Sequence, residues 1–533
     1  MARRFLSALR GSFVLDASRT ARPSPLRRPA PSMRPLAAFC LPAALLAGCV
    51  NLAPPHATPA APVPQAWASA PAATAVAPSA SAVGLPAVAP HDLGWRDFFV
   101  DERLRGTVAL ALENNRDLRV AVLNIERARA QYDIVQAAVY PTLSGGVSGS
   151  RSRTPGSLAA NGVTRFATQY SATVGLASYE IDLFGRVRNL GEAALEGFFA
   201  TEDAGRTTRI SLVADVANAW LTLATDQQRL RLARDTLASR QKSYDLIERG
   251  YQLGAQSGLA LAQARSTVDT ARADAAAYDS QVEQDRNLLA LLVGATPPDE
   301  LLPLPPAGTM ATTPAARLLA PPAGLASDIL QQRPDVQAAE HTLRASNANI
   351  GAARAAFYPR IALTGSGGTA SSSLSGLFRD GSSIWSFTPS ISVPIFDGGI
   401  NRANLRVAEV QQRIQLATYE KTLQTAFREV ADALAARRTL DERLAAQQSL
   451  LAATTRAFEL SDALFRAGGG DYFVVLDAQR SLYTAQQSLL ALQLIEQANR
   501  LTLYKVLGGG WLDTTRAAAQ AVPGTVASGT PGG

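Results

Sequence analysis

The stretch from Trp385 to Ile395, WSFTPSISVPI, decides the fold. Trp385, Phe387, Pro389, Ile391, Val393 and Ile395 are apolar, and Ser386, Thr388, Ser390 and Ser392 between them are small and polar. This is the period of a β-strand with one greasy face and one wet face. A strand of a soluble sandwich would turn its greasy face inward and stud its outer face with charge. Here the wet face carries only hydroxyls, which suits a water-filled lumen behind a lipid-facing wall. In hydrocarbon each unpaired N–H and C=O costs several kcal/mol, so the strand demands partners that close into a barrel.

Its nearest partner is Ile361 to Thr369, which completes one hairpin. A second hairpin lies earlier. Thr142 to Ser152 is rich in Ser and Gly with Leu143 and Val147 on one face. Arg165 to Ile181 alternates more clearly, with Phe166, Tyr170, Val174 and Leu176 opposed to Arg165, Gln169, Ser171 and Thr173. Trp385, Phe387, Phe166 and Tyr170 read either as the aromatic girdle of a membrane barrel or as ordinary strand packing.

Around the hairpins the pattern is helical. Apolar residues recur at helical spacing from Glu102 to Val139, with a break at Asn114-Asn115 and a stop at Tyr140-Pro141. After Phe184-Gly185 the helical pattern hardly pauses until Gly254, a run without Pro that would form a rod of roughly 100 Å. A second helix runs from about Gly258 to Val293, and Pro297 to Pro322 is a Pro-rich connector. Then the order begins again. Asn115-Arg116-Asp117 corresponds to Arg333-Pro334-Asp335, Tyr140-Pro141 to Tyr358-Pro359, and Asp182-Leu183-Phe184 to Pro394-Ile395-Phe396. Further on, Asp215 to Ala219 corresponds to Glu429 to Ala433, Tyr244 to Phe458, and Arg265-Ser266 to Arg480-Ser481. Each half reads helix, strand, strand, long helix, helix, with the second rod from about Ile400 to Ala467.

The chain has 533 residues and a net charge of +7, with a pI near 9.6. Eight Arg and a single acid, Asp16, within residues 1–48 account for all of that charge, so it marks a targeting region and not a nucleic-acid surface. The apolar run Leu36 to Gly48 follows Arg34, is too short to span a bilayer and ends in small residues, as an export signal does. It stops directly before Cys49, and Leu46-Ala47-Gly48-Cys49 resembles a bacterial lipoprotein box, in which the Cys is lipidated. The bland alternative is a buried thiol in an ordinary helix. Met33 stands where a short signal would begin, which marks residues 1–32 as an upstream extension. Cys40 lies inside the signal, so the mature chain would hold Cys49 alone and form no intrachain disulfide. Val50 after the Cys, where retention in the inner membrane is associated with Asp, points to the outer membrane.

The divisions expected are therefore 1–48, extension and signal; 49–94, an Ala/Pro-rich lipidated tether; and 95–294, the first repeat. A connector at 295–325, the second repeat at 326–512 and a disordered tail at 513–533 follow. Four strands cannot close a membrane barrel, since the smallest use eight, so several copies must pool theirs.

At this point the chain resembles the TolC-type outer-membrane efflux channels, in the lipidated, NodT- or OprM-like branch of the outer membrane factor family. The resemblance runs from about Trp95 to Trp511. It rests on Ala352-Ala353-Arg354-Ala355-Ala356-Phe357-Tyr358-Pro359, Pro394-Ile395-Phe396-Asp397-Gly398-Gly399, Phe427 to Asp432 and Leu507 to Trp511. It implies an α+β membrane protein of mostly long α-helices, whose two β-hairpins join those of two further copies. Together they make a homotrimeric, twelve-stranded transmembrane β-barrel, continued by a helical tunnel through the periplasm, with the connector at its waist. It further implies a periplasmic membrane-fusion adaptor and an inner-membrane pump, of the RND type, which hand drugs or other small solutes to the conduit. The conduit itself does no chemistry.

The turns after the rods, near Gly254 and Gly468-Gly469-Gly470, then form the periplasmic tip. Beyond the second turn, Phe473, Asp477 and Arg480 recur at helical spacing. If that helix lines the lumen, three copies of Asp477 make an acidic ring and three of Phe473 an apolar iris. The family's gate resembles this arrangement at matching positions. Ala262 replaces Asp477 in the first half, so the gate differs between repeats. Asp471 and Tyr472 are secondary candidates. The plain alternative for Asp477 and Arg480 is a solvated pair contributing a few tenths of a kcal/mol.

Enzymatic chemistry finds little support. The Gly runs at Gly468 and Gly508 lack the Lys and Ser/Thr of a phosphate loop. His56, His91 and His341 are scattered, so no metal cluster, catalytic triad or cofactor site is indicated. Two other readings stay open: a type I secretion channel built on the same tunnel, disfavoured by the lipoprotein box, and a pore-less periplasmic coiled-coil scaffold. The scaffold would need no lipid-facing alternation in its strands.

Overall fold

The computed structural model describes residues 51–64, 67, 90–158, 160–304, 318 and 327–515. Cys49, the expected export signal and residues 516–533 lie outside them. In the first repeat α1 (Glu102–Asn114) and α2 (Arg116–Ala137) precede β1 (Leu143–Thr154) and β2 (Arg165–Ile181), and α3 (Arg186–Gln252) and α4 (Gly258–Val293) follow. In the second, α5 (Pro334–Ala355) leads into β3 (Arg360–Ser371) and β4 (Ser383–Ser392), then α6 (Ile400–Arg466) and α7 (Tyr472–Val506). Both rods are 67 residues long, about 100 Å of helix each.

Local chemistry sets the boundaries. Asp101 caps α1 by accepting from the backbone N–H groups of Arg103 and Leu104 at 2.9 and 3.1 Å. Asn115 ends α1 and begins α2: its side chain accepts from Leu118 N at 2.8 Å and donates to the Leu292 carbonyl at 2.7 Å. The rods begin after Gly185 and Gly399, whose φ of 75° and 92° lie in the left-handed region that glycine tolerates. At their far ends Gly254 and Gly468 take φ of 75° and 78°, and Ser257 and Asp471 cap α4 and α7 at corresponding places.

The four strands form one antiparallel sheet in the order β1-β2-β3-β4. The two hairpins join through β2 and β3, where Ile181 faces Ile361 and Tyr170 faces Ser371, with a bulge between Leu176 and Tyr179. All four helical connections leave one end of the sheet, and the turns at 155–164 and 372–382 close the other.

Helix packing is organised around mid-rod cores. Trp220, Val213 and Leu221 of α3 pack with Trp95, Phe98, Leu104, Leu289 and Tyr504. Tyr419, Leu423 and Val430 of α6 pack with Leu330, Val336, Leu503 and Val506. Trp67 belongs to this second core. Its ring stacks on Phe427 at 5.4 Å and its Nε1 donates to the Phe427 carbonyl at 3.1 Å. The described part of the tether, residues 51–64, has no helix or strand, yet it is tied down: Thr58 donates to Glu340 at 3.2 Å and Arg354 to the Leu52 carbonyl at 3.2 Å. The tail also begins later than its composition predicts. Asp513 accepts from Trp95 Nε1 at 2.7 Å, and Thr515 N donates to Asp97 at 2.8 Å, which fixes 513–515 against the start of the first repeat.

Candidate functional site

The register places every large apolar strand residue named above on one face of the sheet. Val147 pairs with Ala172, Leu143 with Leu176, Arg153 with Phe166, Gly367 with Trp385, Gly365 with Phe387 and Ile361 with Ile391. Within one chain this greasy face is bare: Trp385 is 82% exposed, Val147 79% and Ile391 69%. Gly365 and Gly367 lie opposite Phe387 and Trp385; a Cβ at Gly365 would just reach the Phe387 ring at 4.0 Å, and one at Gly367 would stand in open space. The other face is lined by hydroxyls. Ser148 and Ser171 are 2.7 Å apart and Ser366 and Ser386 2.8 Å apart, oxygen to oxygen, in cross-strand pairs that satisfy each other. Apolar groups left outside and polar groups turned inward make the inverse of a soluble sandwich.

Where strands meet rods, the hydroxyl face carries a charged cluster that sequence reading passed over. The Glu180 carboxylate accepts from Arg186 Nε and Nη2 at 2.8 and 2.7 Å and from Arg360 Nε at 2.6 Å. Asp182 beside it accepts from the Arg188 backbone N–H at 2.8 Å, steadying the first turn of α3. A cavity of about 320 Å³ opens here, lined by Glu180, Arg186, Tyr358, Arg360 and Asn401 among others. Glu180 was legible as the lone acid among the hydroxyls and small residues of β2. Its partnership with a residue 180 positions away was not.

At the other end of the rods the structure sorts the tip candidates. Phe473, Asp477 and Arg480 share one face of α7 and all three are exposed, Phe473 by 52%. Among the described residues Asp477 and Arg480 form no ion pair with each other, and each stands exposed on the helix surface. Tyr472 is corrected: it is 4% exposed and packs with Ile247, Ala264, Val475 and Leu476 beside the Phe465 ring. It is buried within the chain and holds α7 to the rods. Asp471 is exposed and has a local task as well. Its carboxylate accepts from Phe473 N at 3.0 Å and caps α7, the task Ser257 performs in the first repeat.

His341 is less isolated than its place in the sequence suggests. Its Nδ1 lies 2.6 Å from Glu196 and its Nε2 3.6 Å from Asp203, in a buried cluster between α3 and α5. Burial pushes the Asp203 carboxyl upward against the pull of Arg206 and His341. Among the described residues no group of His, Cys, Asp and Glu is arranged to hold a metal ion.

A sheet with a bare apolar face, a hydroxyl-lined reverse and two hundred-ångström rods hung from one end defines the class: an outer-membrane channel continued by a helical conduit. The chain belongs to the outer membrane efflux protein family, whose model matches residues 107–295 and 325–509, the two halves of the repeat. It is 44% identical over 486 residues to the toluene efflux pump outer membrane protein TtgC of Pseudomonas putida, covering 91% of this chain and 97% of that protein. Among solved structures it is similar to a Pseudomonas aeruginosa membrane protein, with 41% identity and a TM-score of 0.79 over 87% of this chain and 98% of that one. It is similar also to the open state of the Neisseria gonorrhoeae MtrE outer membrane channel, with 37% identity and a TM-score of 0.77 over 88% and 100%. The protein is thus an outer-membrane efflux channel that works with adaptor and inner-membrane pump partners.

Proposed function

We propose that three copies of this chain close one twelve-stranded barrel, anchored by a lipid on Cys49 and gated at the periplasmic tip. The observation that carries the reading is the sheet itself. β1 and β4 are unpaired edges, and a four-stranded sheet with an exposed apolar face is stable in lipid only when its edges meet those of other copies. Around a threefold axis the hydroxyl face becomes the lumen and the greasy face meets acyl chains.

The tether supports the anchor. Arg354, which holds the Leu52 carbonyl, lies in the last turn of α5 just before β3 enters the membrane, and three residues of chain reach at most about 11 Å. A lipid on Cys49 therefore has the membrane surface within reach. The cargo is small: drugs and apolar solutes such as those named for its relatives, delivered by an adaptor and a pump of the RND type.

Phe473 and Asp477, free on the face opposite the Tyr472 core, converge as an apolar iris and an acidic ring, with Arg480 a turn above. Single-channel recording of the reconstituted protein tests this. Phe473→Ala and Asp477→Ala are expected to give a larger or more frequent open state, and Asp477→Ala to lower the preference for cations. Unchanged conductance and ion selectivity in both variants would remove the gate from these residues.

A further inference from the structure

We propose that Arg151 and Arg153 form an outward-facing site for the phosphate groups of lipids in the outer leaflet of the membrane. The greasy face of the sheet carries no other charged residue among the described strands, and these two stand on it together, because Arg151 pairs with Thr168 and Arg153 with Phe166 in the register that sets Val147 and Leu143 outward. Both are exposed. The Arg151 guanidinium lies 5.8 Å from the centre of the Phe166 ring, which fixes its height and leaves its edge open. Among the described residues no carboxylate pairs with either.

Their level in the membrane decides what they meet. Arg151 is eight residues from Leu143, about 27 Å of strand, which at the tilt of a membrane barrel raises it roughly 20 Å; the apolar band is about 25 Å tall. An arginine at the midplane would be costly, whereas at this rim it sits beside headgroups, flanked by Phe166 and Tyr170 as interfacial rings. Two forked guanidiniums two residues apart on one strand face match the bidentate geometry of phosphate oxygens. The inference rests on the outer-membrane barrel, in which the end of the sheet away from the helices faces the outer leaflet.

The test uses the full chain purified from outer membranes in mild detergent, as wild type and as Arg151→Gln/Arg153→Gln. Phosphorylated glycolipid retained per assembly, measured by native mass spectrometry, is expected to fall roughly tenfold in the variant. In an add-back experiment diphosphorylated lipid A should raise the temperature at which wild-type assemblies dissociate and leave the variant unmoved. Its enzymatically dephosphorylated form should protect neither. Equal retention by the two proteins, or equal protection by the dephosphorylated lipid, overturns the proposal, as does full protection by inorganic phosphate alone, which would make this a free-anion site. A wild type that forms no assembly at all sinks the barrel reading beneath it, a result distinct from these. An unchanged conductance in the variant excludes a folding defect as the cause of lost lipid.

Discussion

Trp67 is the only firm hold described for the chain between residue 64 and residue 90, and removing it should free the tether. The indole is 4% exposed among Tyr419, Leu423, Val430 and Leu507, stacked on Phe427 and hydrogen-bonded to its carbonyl. Burying about 200 Å² at about 25 cal/mol per Å² sets an upper bound near 5 kcal/mol, and core Trp→Ala changes cost about 3–5 kcal/mol. Ordering the strap takes back part of that, so Trp67→Ala should weaken its attachment by about 3 kcal/mol, a roughly 150-fold rise in the detached fraction. Residues 51–64 contain no Lys or Arg, so trypsin cannot report on them. Proteinase K cuts mapped by mass spectrometry can, and in the regime where the strap closes faster than it is cut their rate follows the open fraction. Thr58→Ala, which loses one exposed hydrogen bond, should change the rate less than about threefold. If Trp67→Ala is cut within 51–64 no faster than wild type, the indole does not hold the strap.

Three further outcomes are expected. Burial, together with the neighbouring Asp226 carboxylate, lifts the Asp285 carboxyl to about 6 against the pull of Gln281 and Arg229. A folded-state pKa raised above the ordinary 3.8 means stability that is fully present below about pH 4 and lost as pH rises through 6. Asp285→Asn should therefore match wild type at pH 4 and gain on the order of 1 kcal/mol per chain by pH 7.5, read from melting midpoints; parallel pH profiles would refute this. Glu180→Ala leaves Arg186 and Arg360 facing each other and should cost about 2 kcal/mol per chain, with Arg360 softened by water, whereas Glu180→Gln should lose less; heat dissociation of the assembly orders the two. Gly294→Ala should cost about 3 kcal/mol because its new Cβ would meet the Asn114 carbonyl oxygen at 2.4 Å, while Gly254→Ala, at nearly the same φ but in open space, should cost about 1 kcal/mol; equal melting points would deny the contact.

Much of this was readable in the residues because it is periodic. The alternation at Trp385 to Ile391, the caps at Asn115 and Gly185, and the repeat each leave a local signature. β4 stops at Ser392, short of the expected Ile395, because Pro394 has no N–H to donate to a ladder. β1 and β3 run slightly past their expected ends, where Ser, Arg and Thr carry no apolar signal but still pair. The tip shows the other limit. Tyr472, Val475, Leu476 and Gln479 fall on one helical face and Phe473, Asp477 and Arg480 on the other, so spacing alone separates Tyr472 from its neighbours. The Glu180–Arg186–Arg360 cluster and the Glu196–His341–Asp203 contact join distant positions, and only the packed chain brings them together.

The two bare edges of the sheet carry a genetic consequence. In the ring proposed above every β1 must find a neighbour's β4, so a chain with one edge spoiled by a strand-breaking substitution would still offer the other and be built in. If three chains close the ring, as proposed above, a cell making sound and damaged chains in equal amounts would hold only about one wholly sound ring in eight. Lesions at Leu143–Thr154 or Ser383–Ser392 should thus act dominantly, whereas those that unfold a rod should be recessive.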